Sequence, residues 1–334
     1  MRQVLFLGAN HAQVPYLRAA RRLGFRVVAT DRRPGAPGAG IADAFHPVGY
    51  DDVEGLVRVA EQEGLGAGDR VFTAAAHLAF EGAAAVAAHL GIPFPRPDAV
   101  ATCLDKTRFY PALARLGIPH PRCHPFDPRR PRVPDPRLVY YLKSDFGKSP
   151  RYCYRVEGGR IPELPPCPDA FYRRAFVLQE EVEGVHYRVD LLAGRVATFL
   201  KLSDRACIPQ RVIGPGHREV VDRLRAFTRA FGLEGLPTKF DLVVDDGGFY
   251  VLDIGLDPPL RLRLLCEHLG LDLPGALVRY ALRGEPDELP LWSAVCRPVL
   301  IAGTSEAGYR VEDLLARVPA GEVPVPAARA GLLR

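Results

Sequence analysis

Lysine is scarce among the basic residues of this chain: 5 lysines stand against 39 arginines in 334 residues. Basic residues form no dense tract and no aromatic-rich basic module. A formal charge of +5 spread along the sequence therefore gives no footprint for nucleic acid. Apolar runs are short as well, and none reaches the roughly 18 residues that a membrane-crossing helix needs. The 7 cysteines, at positions 103, 123, 153, 167, 207, 266 and 296, contain no C-x-x-C pair, so neither a zinc site nor a disulfide scaffold is signalled. Separated thiols in odd number suit a reducing compartment, and Cys103 and Cys207 are the candidate nucleophiles. Two catalytic signatures are missing too. The chain has no G-x-S-x-G elbow, and LGANHAQVP keeps only Gly8 of a G-x-G-x-x-G turn, with His11, Gln13 and Pro15 around it.

What is present is a soluble globular composition, 48% hydrophobic, in a chain long enough for two or three domains. The opening MRQVLFLGAN has one early charge and then polar residues, so it reads as a first strand rather than a signal peptide. The expected location is the cytoplasm.

The first hundred residues alternate as a parallel α/β unit does. VLFLGAN, FRVVATD and DRVFTAAA are strands, PYLRAARRLG, DVEGLVRVAEQEG and AFEGAAAVAAHLG are helices, and IPF is a short strand before Pro95 and Pro97. Asp31 ends the second strand where a dinucleotide fold places a ribose-binding carboxylate. The stretch from Asp98 to Gly117 reads as one helix. DPRRPRVPDPR is a rigid, exposed crossing into a region of mixed or antiparallel sheet. There LVYYLKSD and RYCYRVEG are strands, and FVLQEEVEGVHYRVDLLAGRVATFLKLSD gives more strands parted by Gly184 and Gly194. GHREVVDRLRAFTRAFGL and LRLRLLCEHLGL are helices. Between them TKFDLVVDDGGFYVLDIGLDP is a hairpin turning at Asp245–Gly248. The segment beyond 285 is uninformative.

Chemistry concentrates in two patterns. Lys106 (LDKTRF), Lys143 and Lys148 (YLKSDFGKSP) lie in polar, turn-rich settings. An ammonium is a compact point charge on a flexible stem, suited to a phosphate tail where the guanidinium fork is suited to bidentate pairing. For Lys201 and Lys239 a compositional habit explains their presence equally well. The hairpin, meanwhile, brings Asp241 and Asp253 toward one end, and two converging carboxylates call for something positive between them.

Taken in order over residues 1 to 285, these parts resemble the ATP-grasp superfamily, which includes D-alanine ligases, biotin carboxylase and amino-acid ligases. The resemblance implies an N-terminal Rossmann-like open parallel α/β sheet over 1–95 and a linker helix and strand start over 96–125. It implies an ATP-grasp α+β fold after that, with a small subdomain over 126–183 and a C-terminal subdomain over 184–334, the nucleotide lying between the two. It places Lys106, Lys143, Lys148 and Ser149 on the phosphates, with SDFGKSP as the covering loop. At the hinge VLQEEVEG it assigns the Glu180 carbonyl and Val182 N–H to adenine and Glu183 to ribose, and it sets His186 where the family commonly has Glu. Asp241 and Asp253 resemble the family's magnesium-binding acids.

The sequence departs from the family at DIGLDP. Gly255 replaces the metal-binding Asn and Asp257 the usual Arg, so Asp257 becomes a substitute metal ligand or Arg261 or Arg263 reaches in. Arg205, Arg211 and Arg261 are candidates to orient a carboxylate substrate or its acyl phosphate, and Asn10, His11 and His77 to line a substrate pocket.

The implied activity is an ADP-forming, Mg²⁺-dependent carboxylate-amine ligase using ATP, with small-molecule carboxylate and amine substrates. Neither nucleic acid nor membrane is an expected partner, and a homodimer is compatible. The alternative is a degenerate ATP-grasp protein that binds nucleotide without turnover and serves a regulatory or partner-binding role. A nicotinamide-dependent oxidoreductase is a third reading, against which the incomplete glycine pattern argues.

Overall fold

The computed structural model describes residues 2–75, 77–144, 153–163, 176–202, 206–210, 217–286, 299–304 and 308–313. The chain opens with β1 (Gln3–Leu7), α1 (Val14–Arg22), β2 (Arg26–Thr30), β3 (Ala44–His46), α2 (Val53–Gln62), β4 (Arg70–Thr73) and α3 (His77–Leu90). The strands form a parallel sheet in the order β3-β2-β1-β4. β1 is buried from Val4 to Leu7 because both faces are covered, as continuous apolar strands of parallel sheets require. Leu5 and Leu7 pack with Leu56, Val59, Ala83 and Val86 of α2 and α3. Val4 and Phe6 pack on the opposite face with Leu17 and Ala20 of α1.

The expected strand at 92–94 does not form. Three residues ahead of Pro95 and Pro97 have little ladder to offer, since prolines donate no N–H. The expected single helix after Asp98 is two, α4 (Pro97–Leu104) and α5 (Lys106–Arg115). Asp105 breaks it in an extended conformation (φ −112°, ψ 111°) and caps α5, accepting from the Thr107 N–H at 2.8 Å. An N-cap carboxylate satisfies donors that a helix start leaves open.

Two antiparallel sheets follow. The smaller joins β5 (Cys123–Phe126), β6 (Tyr140–Ser144), β7 (Cys153–Val156) and β8 (Phe176–Glu180) in the order β5-β8-β6-β7. The larger contains β9 (Val185–Leu192), β10 (Arg195–Leu202), β11 (Ala206–Gln210), β12 (Thr238–Val244), β13 (Phe249–Gly255), β14 (Val299–Thr304) and β15 (Gly308–Asp313), in the order β13-β12-β9-β10-β11-β14-β15. The expected hairpin turn is present, with Asp245 accepting from the Gly247 and Gly248 amides at 2.8 Å each.

Strand alternation divides the large sheet. Tyr187, Val189, Leu191, Phe240, Leu242, Val251 and Ile254 enter one core with Phe109 and Leu113 of α5 and with Leu224 and Phe227 of α6 (His217–Ala230). His186, Arg188 and Asp190 occupy the alternate positions of β9 and so face the other way. Helices α7 (Leu260–His268) and α8 (Leu273–Arg283) share the α1 core through Leu262, Cys266, Leu277 and Val278.

Candidate functional site

Residues 181–184 join the two antiparallel sheets. The Glu180 amide donates to the Arg122 carbonyl at 2.9 Å, and the Glu181 amide to the Val139 carbonyl at 2.9 Å. Next to this joint, Glu180 pairs with His124 (3.2 Å), while Glu181 accepts from the Tyr141 hydroxyl (2.9 Å) and from Arg155 (3.2 Å twice). Gly184 has φ +152°, and a Cβ there would stand 2.6 Å from the Val244 carbonyl oxygen. Only glycine lets β9 leave the joint that close to β12. Glu183 is exposed and Val182 half-buried.

Running away from the joint, the polar face of the large sheet is a ladder of charged rows. His186 lies opposite Val243. Two residues further on, Arg188 lies opposite Asp241, which lies opposite Asp253. After two more, Asp190 lies opposite Lys239, and Lys239 opposite Gly255. The hairpin thus makes Asp241 and Asp253 direct cross-strand partners. Directly opposed side chains of an antiparallel pair have Cβ atoms about 5 Å apart, within reach of a shared cation.

Each acid already has a counter-ion. Arg188 donates to both oxygens of Asp241, at 2.7 and 2.9 Å. Burial works to raise the Asp241 carboxyl, but the Arg188 guanidinium, with Arg261 and Lys239 assisting, holds it below its ordinary range. Lys106 lies 3.3 Å from Asp253. Asp257 is held by Lys239 at 2.7 Å, and both side chains are buried. Among the described residues no three His, Cys, Asp or Glu side chains come together to hold one metal ion. Asp257 accordingly does not complete a three-acid group with Asp241 and Asp253.

The opposite wall comes from the small sheet, while α5, packed into the core of the large sheet, adds a second lysine. Lys143 of β6 bonds to the Gln179 side chain, and its ammonium lies 5.8 Å from the centre of the Tyr141 ring. Lys106 opens α5 and is 7% exposed. A cation at a helix N-terminus opposes the helix dipole, so it needs an anion, and Asp253 provides one. The two ammonium groups share an environment, for both pull against burial at the Cys123 and Cys153 thiols. Burial nonetheless pushes Cys123 up to about 12, which keeps it a neutral thiol. His186 ties the walls together: burial depresses its basicity, Asp241 and Glu181 oppose that, and Lys143 reinforces it.

The structure thus gathers Lys106, Lys143, His186, Asp241 and Asp253 beside the 181–184 joint. Arg261, on α7, acts on both Asp190 and Asp241. Arg263 lies 3.4 Å from Glu267 and influences Tyr16 of α1, away from the charged rows. Lys148, Ser149, Arg205 and Arg211 lie outside the described residues. Asn10 and His11 follow β1 and His77 begins α3, at the carboxyl edge of the parallel sheet. Asp31 has both oxygens engaged, accepting from the Ala9 amide of the loop after β1 (3.0 Å) and from the Arg33 amide of its own loop (3.1 Å). A ribose would have to displace those bonds, which argues against the nicotinamide reading. Cys103 is buried in the core, and burial pushes its thiol far up, so it is no nucleophile. The Cys207 side chain lies outside the described set.

Sequence reasoning missed Arg188, Asp190 and Gln179. Asp190 is fully buried, and neither of its oxygens has a hydrogen-bond partner among the described residues. Burial pushes its carboxyl up, against the pull of Arg188 and Lys239.

No family model and no curated protein matches the chain. Solved structures do. An L-amino acid ligase from Bacillus licheniformis superposes with a TM-score of 0.66 at 17% identity, over 90% of this chain and 79% of that one. An N5-carboxyaminoimidazole ribonucleotide synthetase from Thermotoga maritima gives 0.65 at 17%, over 90% and 80%. Biotin carboxylase from Campylobacter jejuni, in its β,γ-ATP complex, gives 0.63 at 14%, over 90% and 75%. With a parallel α/β layer followed by two antiparallel sheets hinged at 181–184, and with these structural neighbours, the chain has the ATP-grasp fold.

Proposed function

We propose that the chain binds ATP between its two antiparallel sheets, activates a carboxylate as an acyl phosphate and joins it to an amine, releasing ADP. The observation that carries this reading is the meeting of two buried-side lysines from different elements with two facing carboxylates, at a joint between sheets. The structural neighbours support it, since their names include an amino-acid ligase and a complex with an ATP form.

In this reading residues 1–95, 96–125, 126–183 and 184–334 are the N-terminal domain, linker, small subdomain and C-terminal subdomain. Adenine lies at the joint, with the Glu180 carbonyl accepting from its amino group, the Val182 N–H donating, and Glu183 near the ribose. Lys106 and Lys143 hold phosphates, and Lys148 and Ser149 belong to the loop over them. Asp241 and Asp253 fit one Mg²⁺, which takes one or two carboxylates along with substrate phosphates. When bound, that ion neutralises charge on the phosphate tail. A side chain at residue 255 would have to displace the Lys239 stem, since a Cβ there would stand 2.5 Å from its Cε.

The substrate carboxylate attacks the γ-phosphorus, and the bond to the β,γ-bridging oxygen breaks, so ADP leaves. The amine then attacks the acyl carbon and phosphate departs, with the amine proton released. The protein's part is positioning and charge neutralisation, so no Ser-His-Asp set is needed. In this scheme Arg261 and Arg205 are assigned to orient the carboxylate.

One observation favours a second reading, nucleotide binding without turnover in a regulatory or partner-binding role. Asp257, where the resemblance expects Arg, is paired with Lys239 inside the sheet face, so the acyl-phosphate end lacks that arginine.

Calorimetric titration with ATP, with and without Mg²⁺, tests the site on the wild type, Lys143→Ala and Asp253→Ala. Magnesium-dependent binding weakened in both variants is expected, and ADP release with a carboxylate and amine pair would then select the ligase. Binding indifferent to Mg²⁺ and to Asp253→Ala would select the second reading, and no ATP binding would overturn both.

A further inference from the structure

Lys239 is one of two lysines for which composition alone is a sufficient explanation, yet its surroundings are specific. It lies on β12 two residues before Asp241, hence on the same face, between Asp190 of β9 and Gly255 of β13. Its stem crosses the spot that any side chain at residue 255 would occupy, with Cε 2.5 Å and Cγ 3.2 Å from an added Cβ. Its ammonium ends 2.7 Å from Asp257. Gly255 is therefore the residue that lets a lysine lie flat across the edge hairpin, and Asp257 is the residue that fixes where its charge stops.

The position along the ladder gives that charge a use. Rows two residues apart are about 6.5 Å apart along a strand. Counting from the 181–184 joint, the order is His186, then Arg188, Asp241 and Asp253, then Asp190 and Lys239. On the ATP reading of the site, a nucleotide with its base at the joint would run its phosphates along these rows. Its terminal phosphoryl group then comes to lie past the Asp241 and Asp253 pair. Lys239 stands at that end, where the sequence has lost both the Asn ligand and the following Arg of the family it resembles.

We propose that Lys239, clamped by Asp257 across Gly255, is the resident cation for the terminal phosphoryl group of a nucleoside triphosphate. It supplies fixed positive charge at that end. The inference rests on the ATP reading of the site and adds to it a residue that distinguishes triphosphate from diphosphate. An ammonium held in place by a buried carboxylate needs no reorganisation as charge moves onto the transferring group, which is the condition for electrostatic help. The competing explanation is that Lys239 and Asp257 only staple β12 to the loop after β13.

The test is the ratio of ATP to ADP affinity at fixed, saturating Mg²⁺, by titration calorimetry. Lys239→Met alone removes a buried countercharge from beside Asp257 and Asp190 and can fail to fold. Two further variants avoid this. Lys239→Met with Asp257→Asn removes the pair together, and Gly255→Ala keeps every charge but pushes the Lys239 stem aside. Circular dichroism verifies that both are folded. Loss of a charge-assisted contact corresponds to about tenfold or more, so ATP should weaken by that factor in both variants while ADP is unchanged. An ATP to ADP ratio that stays at the wild-type value in both, or ADP that weakens as much as ATP, would overturn the proposal and leave the staple. Absence of ATP binding in the wild type would instead strike the underlying reading.

Discussion

The Arg188 and Asp241 pair allows a quantitative forecast. Two bonds of 2.7 and 2.9 Å make it bidentate, with side chains 25% and 34% exposed. A hydrogen bond to a charged group contributes roughly 1.5 to 3 kcal/mol when sheltered, and an exposed ion pair only about 0 to 1. Partial exposure places the coupling near 1 to 2 kcal/mol by that interpolation. The perturbation is a double-mutant cycle of Arg188→Met, Asp241→Asn and both together, read by urea denaturation at pH 7. Arg188→Met should be the more costly single change. It leaves Asp241 negative and directly opposite Asp253, and like charges opposed across strands repel. The double variant should recover part of that loss. Because the guanidinium holds the folded Asp241 carboxyl below its ordinary 3.8, the pair's contribution is full above the unfolded value and fades only as pH falls through the lower folded one. The coupling at pH 5 should therefore equal that at pH 7. A coupling under about 0.3 kcal/mol, the range of independent sites, would refute the account of the charged face.

Two further forecasts concern the N-terminal layer. Glu63 accepts from Arg26 at 2.6 Å and pairs with His46 at 2.7 Å, and the Arg26 bond holds its carboxyl below 4.5 against the effect of burial. Glu63→Gln should cost about 2 kcal/mol at neutral pH. The gap to wild type should close as pH falls below 4.5, and thermal melts across pH 3 to 7 would show a constant gap if the reasoning is wrong. Gly82, inside α3, would direct a Cβ into the Tyr50 carbonyl oxygen. Gly82→Ala should thus destabilise by about 1 to 3 kcal/mol through overpacking, reversing the roughly 1 kcal/mol gain that alanine brings to an open helix site; a higher melting temperature would contradict this.

Much of the architecture was legible because apolar runs and turn residues carry it. VLFLG and RVVAT are too apolar for a one-faced strand, and the Asp-Asp-Gly-Gly turn sets the register that opposes Asp241 to Asp253. The same kind of pattern could have revealed Arg188 and Asp190, since VHYRVDLL alternates polar and apolar through six residues before its double leucine. The break at Asp105 was harder to see, as the helical pattern continues through a residue whose capping geometry ends one helix and starts another. β3 is three residues long, below what periodicity can resolve. The Lys239 and Asp257 pair was not legible at all. It depends on a lysine stem crossing a glycine on the neighbouring strand, and no local pattern records where a flexible side chain runs. The joint at 181–184 is similarly weakly written, because a main chain that reads a base leaves side chains free to vary.

The division of the cores has its own consequence. α7 and α8 bury their apolar faces in the core of α1, while α5 and α6 are built into that of the large sheet. Among the described residues the small sheet's own apolar cluster has five buried members, Phe126, Tyr140, Leu142, Val156 and Leu178. Regions with few buried apolar contacts open at the lowest free-energy cost. The wall bearing Lys143 should therefore open at lower cost than the body that holds Lys106 and both facing acids. Amide exchange is expected to put the two lysines' elements in separate classes, β6 exchanging faster than α5.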